Sequence, residues 1–92
     1  MMRSFADGET EKVFRHRHSR RYEAIERGAL RKLRQIHSVS AVEELFEPPG
    51  NRLEPLEGAR KGQWSLRIND QYRICFAWRD GDACEVEIVD CH

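Results

Sequence analysis

Two arginines, an aspartate and a histidine in the C-terminal half of the chain have side chains suited to phosphoryl chemistry. Arg67 and Arg73 occur in segments that alternate like β-strands, while Asp90 and His92 follow directly after the last such segment. Arginine binds phosphate through paired hydrogen bonds and stabilises negative charge that develops on it. Histidine titrates near neutral pH and can move the proton of an attacking hydroxyl or a leaving oxygen. These residue types therefore indicate chemistry at a phosphate.

The cleavage of RNA, with the ribose 2′-hydroxyl as the nucleophile, fits this set best. No His/Cys cluster has the spacing of zinc ligands and no acidic cluster is arranged to hold a metal, so we predict neither metal nor cofactor. Each residue also has a simpler interpretation. The arginines could pair with Glu85 or Glu87 across a sheet, and Asp90 could cap a backbone group. His92 could be an unstructured terminal residue.

Three segments with a period of two must position these side chains. Residues 63–68, 72–78 and 85–89 alternate between apolar and polar side chains, and turn residues separate them at 69–70 and 80–82. One face of the predicted sheet is apolar and is formed by Trp64, Leu66, Ile68, Ile74, Phe76, Val86 and Ile88. The opposite face presents Arg67, Arg73 and Cys75. Strict alternation turns Asp90 toward the apolar side, but strand ends often twist or bulge, so its orientation stays open.

The N-terminal half has helical periodicity instead. A strand is predicted at 1–5 and a helix at 9–15, and Ser19 is a suitable N-cap for a second helix. That helix has an apolar stripe, with Arg27, Arg31 and Arg34 on its other side. A capping box from Ser40 to Glu43 predicts a third, short helix. Together the elements predict an α+β fold in one domain over 1–92, with N-terminal helices packed on one face of a twisted antiparallel β-sheet.

The charge of the chain is balanced in total but unevenly distributed. Residues 1–40 hold ten Lys/Arg against five Asp/Glu, and residues 41–92 hold six against eleven, which gives +5 and −5. A basic face could therefore contact nucleic acid, although an ordinary solvated helix surface gives the same pattern. The three cysteines argue against a disulfide framework and for a reducing compartment. Without a signal peptide or a membrane-spanning apolar run, we expect a cytoplasmic protein.

Several segments in the C-terminal half form a specific combination. They are Pro-Pro-Gly-Asn-Arg-Leu-Glu-Pro-Leu-Glu-Gly at 48–58, Gly-Gln-Trp-Ser-Leu-Arg-Ile-Asn at 62–69, Gln-Tyr-Arg-Ile-Cys-Phe at 71–76, Asp-Gly-Asp at 80–82 and Val-Glu-Ile-Val-Asp-Cys-His at 86–92. In this combination the chain resembles the HigB toxins of the RelE/ParE superfamily of bacterial toxin–antitoxin systems. The N-terminal half is similar to them in layout only.

The resemblance implies a RelE-like toxin that enters the ribosomal decoding site and cuts messenger RNA there. It also implies a HigA-like antitoxin with a helix-turn-helix domain, through which the pair binds operator DNA. It implies no membrane among the partners. By position, Arg73 matches the arginine that contacts the scissile phosphate, and Arg67 is a further candidate for phosphate contact. Asp90 and His92 match the C-terminal acid and histidine, with His92 transferring a proton. Basic helix residues that would suit ribosomal RNA are Arg27, Arg31 and Arg34.

The chain departs from the family pattern at two positions. Cys91 stands where the family has tyrosine, so a ring able to stack on a base and a hydroxyl are missing. Glu54 replaces a histidine that some relatives have, and it either serves as an alternative base or faces solvent, the second being favoured. We therefore expect a weak toxin. Two other functions stay open: a non-catalytic toxin that inhibits a protein such as DNA gyrase, as ParE toxins do, and a degenerate partner that only binds antitoxin.

Overall fold

Within residues 1–90, four strands form one antiparallel sheet in which neighbours along the chain are also neighbours in space. The structure is a computed structural model that describes residues 1–90. Its helices and strands are α1 (Gly8–Phe14), α2 (Glu26–Ser38), β1 (Glu54–Pro55), β2 (Gln63–Arg67), β3 (Tyr72–Arg79) and β4 (Asp82–Asp90). Short 3-10 turns lie at Glu23–Ile25, Val42–Phe46, Pro49–Asn51 and Gly58–Arg60. No helix within residues 1–90 has the length and apolarity needed to cross a membrane.

The register of the sheet assigns its two faces as alternation predicts. Leu66 pairs with Ile74, which pairs with Ile88, and all three side chains are buried beneath the helices. On the opposite face, which we call the outer face, the next row contains Ser65, Cys75 and Glu87. The α+β prediction, with N-terminal helices on one face of an antiparallel sheet, is therefore confirmed.

The second helix begins later than predicted. Ser19 does not cap it; the Ser19 hydroxyl accepts the N–H of Tyr22 at 3.4 Å and donates to the Glu9 carboxylate at 2.8 Å. The Tyr22 side chain is buried, and its hydroxyl donates to the backbone oxygen of Ile88 at 3.1 Å. Because this hydrogen bond ties Tyr22 to β4, residues 19–22 do not form an α-helix, and α2 begins only at Glu26.

The predicted third helix is a 3-10 turn, Val42–Phe46, with a different cap. The carboxylate of Glu44, and not that of Glu43, accepts the N–H groups of Ser40 and Ala41, each at 2.9 Å. The capping box is therefore shifted by one residue. A glutamate of the first turn still accepts hydrogen bonds from the free N–H groups at the start of the turn, as the glutamate of a capping box does.

The N-terminal segment covers the edge of β4 without forming a regular strand. The strand predicted at 1–5 consists of two isolated parallel bridges, Met2 with Ala83 and Phe5 with Val86. Farther along the same edge, the N–H of Ile88 donates to the Thr10 hydroxyl at 3.0 Å, beside the bond from Tyr22. Burial raises the pKa of Tyr22, so its hydroxyl keeps the proton it donates. An edge covered in this way cannot pair with another chain.

A buried asparagine joins the helical layer to the loop before β1. Asn51 is fully buried, and its amide nitrogen donates to the side chain of Gln35 and to the backbone oxygens of Leu45 and Glu47, each at 3.2 Å. Its amide oxygen accepts a hydrogen bond from Lys32. Loss of this side chain leaves the buried Leu45 carbonyl without its donor and removes the acceptor of Lys32, whereas the Glu47 oxygen still accepts a bond from the Gln35 amide.

We expect Asn51→Ala to lower the free energy of unfolding by about 3 kcal/mol and the Tm by about 12–24 °C, because the buried Leu45 carbonyl and the Lys32 ammonium lose their partner. The measurement is thermal unfolding followed by circular dichroism. Asn69→Ala is the control, since the Asn69 side chain accepts only the N–H groups of Gln71 and Tyr72 at the β2–β3 turn. Equal melting of the two variants would contradict a central role for Asn51.

Candidate active site

An open cleft of about 580 Å³ lies on the outer face of the sheet, on the side away from the helices. All four strands contribute to it, together with the turn between β1 and β2. Its lining residues are Glu54, Leu56, Arg60, Ser65, Arg73, Cys75, Val89 and Asp90. Two of the residues that the sequence singles out, Arg73 and Asp90, therefore share one cleft.

The side chain of Arg73 is held in the cleft by hydrogen bonds to β2 and to the loop before β1. Its Nε donates to the Ser65 hydroxyl, and one terminal nitrogen donates to the backbone oxygen of Arg52 at 2.7 Å and to that of Ser65 at 3.3 Å. The other terminal nitrogen, Nη1, donates to no described residue. Because these acceptors are neutral, they do not compensate the positive charge of the guanidinium. Because the side chain is already fixed, it loses little conformational entropy when an anion binds.

Arg67 lies beside Arg73 on the outer face but does not line the cleft. The two are direct cross-strand partners in the β2–β3 register, an arrangement of like charges that destabilises a sheet. Arg67 forms an ion pair with Asp70, which offsets part of the repulsion. The pairing of either arginine with Glu85 or Glu87 is not found within residues 1–90: Arg79 bonds Glu85 and Arg60 bonds Glu87.

Asp90 stands at the end of β4, opposite Tyr72. Its carboxylate accepts a hydrogen bond of 3.2 Å from the Gln71 amide. Asp90 borders the outer cleft and also a second depression beside Tyr22 and Tyr72 on the helical side. The strand end thus places this exposed residue at the rim between the two faces. Cys91 and His92, which follow it, lie outside the described residues.

The cleft contains Ser65 and Arg60, which were missed as site residues in the sequence, and Glu54, for which the role of a base was considered but not favoured. Glu54 lines the cleft opposite Ser65 in the β1–β2 register, and it remains exposed as expected. Ser65 is 2% exposed and holds Arg73; alternation assigned it to this face without indicating a role. Arg60 comes from a 3-10 turn with no periodic pattern, so only the structure brings it to the sheet.

The arginines of α2 belong to a different surface. Arg27, Arg31 and Arg34 are exposed on a helix whose buried side, formed by Ala29, Leu30, Leu33 and Ile36, packs toward the sheet. The helix lies on one face of the sheet and the cleft on the other. The structure therefore does not bring these three arginines into the cleft.

The cleft combines fixed cations with exposed carboxylates. Arg60 and Arg73 line the same cleft as Glu54, which is on β1 at one side of the sheet, and Asp90, which is on β4 at the other. A fixed cation can bind a phosphate while a carboxylate of the same cleft accepts a proton. Within the part of the chain that the structure describes, no three His, Cys, Asp or Glu side chains converge on a point where a metal ion could bind.

Two bacterial toxins are among the curated sequences that are similar to this chain. The chain is 48% identical over 60 residues to "Toxin HigB-1" of Vibrio cholerae serotype O1, a stretch covering 65% of this chain and 63% of that protein. It is 39% identical over 41 residues to "Endoribonuclease HigB" of Proteus vulgaris, covering 45% of each chain. The matched stretches thus span less than two thirds of either relative.

Solved structures share the fold over the whole chain. A "YoeB-YefM complex from Staphylococcus aureus" contains a chain with a TM-score of 0.63 and 13% sequence identity, covering 100% of this chain and 98% of that one. A second, heterotetrameric YoeB-YefM structure from the same organism gives the same TM-score at 14% identity and the same coverage. At this identity the likeness concerns the fold alone.

A family model matches nearly the entire chain, at residues 3–92. It describes a RelE-like toxin of type II toxin–antitoxin system HigB. The match includes the N-terminal half, where the sequence is similar in layout only, and the end of the chain beyond residue 90. The chain therefore belongs to the HigB-like family of RelE-like toxins.

Proposed function

We propose that the chain is a toxin that cuts messenger RNA on the ribosome, in the cytoplasm, without a metal ion. The observation that carries this proposal is the fixed Arg73 guanidinium in a cleft bordered by Glu54 and Asp90. The relative from Proteus vulgaris, which is named an endoribonuclease, supports it. The family match over residues 3–92 supports it too, because that range includes every residue that lines the cleft.

In the proposed reaction, a base removes the proton of a ribose 2′-hydroxyl and the oxygen attacks the adjacent phosphorus. The bond from phosphorus to the 5′-oxygen breaks, and an acid protonates that oxygen. The products are a 2′,3′-cyclic phosphate and a 5′-hydroxyl. Arg73 stabilises the negative charge that develops on the phosphoryl oxygens. His92 transfers a proton, Asp90 orients it or the substrate, and Glu54 is an alternative proton acceptor.

The partner that we propose is a HigA-like antitoxin with a helix-turn-helix domain. Binding of operator DNA then occurs only through the antitoxin. The two Staphylococcus aureus structures are complexes of YoeB with YefM, a toxin–antitoxin pair, which supports an antitoxin partner of some kind. On the toxin, Arg27, Arg31 and Arg34 form an exposed basic surface that suits ribosomal RNA, since phosphate contacts dominate nucleic-acid affinity.

The test is to map messenger RNA 5′ ends after brief induction of the chain in bacteria. We expect new ends within translated reading frames, at fixed positions in the codon, with 5′-hydroxyl chemistry. They should disappear when translation initiation is blocked, because the message is then absent from the decoding site. Growth arrest without such ends would overturn the nuclease proposal and indicate a protein target such as DNA gyrase. The absence of any arrest would indicate a chain that only binds antitoxin.

We expect Cys91→Tyr to accelerate cleavage by about 5- to 100-fold, since the stacking of one base on an aromatic ring contributes about 1–3 kcal/mol. The measurement is the rate of message cleavage on programmed ribosomes. Cys91→Ser is the control, because it changes the side chain without adding a ring. A tyrosine variant no faster than the serine variant would show that Cys91 does not limit the rate.

A further inference from the structure

Arg60 is a second arginine of the cleft that neither the sequence pattern nor the proposed reaction uses. Its turn, Gly58–Arg60, precedes β2, and its side chain reaches across the outer face of the sheet. One terminal nitrogen donates to the Gln63 side chain on β2 and the other to the Glu87 carboxylate on β4, both at 3.0 Å. The guanidinium therefore spans β3 near Cys75 and is fixed at both ends.

The carboxylate of Glu87 favours the charged form of Arg60 and still leaves the Arg60 side chain accessible to a ligand. Its hydrogen bond to Glu87 raises the pKa of Arg60, and the Arg60 side chain is still 43% exposed. An ion pair this exposed contributes little to stability. A phosphate can therefore replace Glu87 at small cost, because it offers the guanidinium the same charge-assisted bonds. The Nε of Arg60 donates to no described residue and is a further free donor.

The two arginines of the cleft are held by different groups. Arg60 is bonded to Gln63 on β2 and Glu87 on β4, whereas Arg73 is bonded to Ser65 on β2 and to the backbone oxygen of Arg52. A single RNA strand crossing the cleft can thus place two different phosphates against two fixed cations.

We propose that Arg60 binds a phosphate next to the scissile one and that Glu87 occupies this phosphate site until RNA displaces it. The inference rests on the proposed function and adds a second substrate-binding residue to it. In this arrangement Arg73 acts on the reacting phosphate, while Arg60 positions the strand. The removal of Arg60 should therefore weaken binding more than it slows the chemical step.

The chain offers a matched control in the pair Arg79–Glu85. This pair joins β3 to β4 at the same 3.0 Å, and it also uses a carboxylate of β4, but it lies outside the cleft and its side chains are 61% and 52% exposed. Loss of one positive charge is identical in Arg60→Gln and Arg79→Gln. Any difference between the two variants therefore reports the position of the charge and not the net charge of the protein.

The experiment measures binding to ribosomes programmed with a labelled message whose decoding-site nucleotides are 2′-O-methylated and cannot be cut. Affinity is determined from about 50 to 200 mM salt. We expect Arg60→Gln to weaken binding about tenfold and to reduce the slope of log affinity against log salt by about 0.7, the value for one phosphate contact on a single strand. Glu87→Gln should strengthen binding about threefold, and Arg79→Gln and Glu85→Gln should match the wild type.

Cleavage of the unmodified message separates this inference from the proposed function. With wild-type cleavage present, equal affinities and salt slopes for Arg60→Gln and Arg79→Gln would overturn the role of Arg60 alone. Weaker binding by Glu87→Gln would also overturn it, because the pair would then be structural. Circular dichroism confirms the fold of each variant. If the wild type cuts no message, the proposed function fails, whatever the binding data give.

Discussion

Arg73→Ala is expected to slow message cleavage about 1,000-fold, because the reacting phosphate loses a preorganised donor and a full positive charge. The measurement is the single-turnover rate on programmed ribosomes at saturating toxin, where weaker binding has no influence. Arg73→Lys should recover only part of the rate, since an ammonium keeps the charge but lacks the planar fork that Ser65 and the Arg52 carbonyl orient.

Arg67→Ala is the matched control for Arg73, because the two residues are cross-strand neighbours on the same face. Arg67 already forms an ion pair with Asp70 and does not line the cleft, so its loss should slow cleavage less than about tenfold. Equal losses in the two alanine variants would mean that the sheet face, and not the fixed guanidinium, supplies the charge. Thermal unfolding of both variants shows whether the loss of bonds to Ser65 disturbs the fold.

His92→Ala is expected to reduce the single-turnover rate about 100- to 10,000-fold, the usual contribution of a general acid or base. Added imidazole should restore part of the rate, because it can carry the missing proton, and this recovery separates proton transfer from a purely structural role. His18→Ala, which removes an exposed histidine from the N-terminal loop, is the control and should leave the rate unchanged.

Unchanged cleavage by His92→Ala would move the proton transfer to the carboxylates of the cleft. Glu54 and Asp90 both line it, and either can accept a proton from a 2′-hydroxyl. In that case Glu54→Gln or Asp90→Asn should produce the large loss instead. The comparison of these three variants therefore assigns the acid–base roles.

The alternation of apolar and polar residues predicted the strand ranges closely, because successive side chains of a half-buried strand are alternately buried and exposed. The predicted ranges 63–68 and 72–78 match β2 (Gln63–Arg67) and β3 (Tyr72–Arg79) within one residue. The last strand is longer than predicted, since Asp82–Cys84 also pairs with β3 through a register shift near Cys75. The helical boundaries were less accurate because side chains such as Tyr22 and Glu44 bond distant or shifted backbone groups.

The candidate site was predictable only where its residues lie on regular strands. Arg73 and its face follow from the period of two, and the family resemblance adds Asp90. Arg60 was not predictable, since its contact with Glu87 joins residues 27 apart across a turn without periodicity. Glu54 was noted only as a departure from the family pattern, because a two-residue strand gives no period from which its face could be read.

The covered edge of β4 has a consequence for the order of folding. Ser4, Thr10 and Tyr22 all bond β4, at sequence separations of 81, 78 and 66 residues. Contacts over such separations require the closure of long loops, which costs chain entropy and slows folding. The same strand supplies Val89 and Asp90 to the cleft. During synthesis, therefore, a chain that has not yet gained residues 82–90 lacks the strand on which its N-terminal layer is anchored and the two cleft residues that this strand supplies.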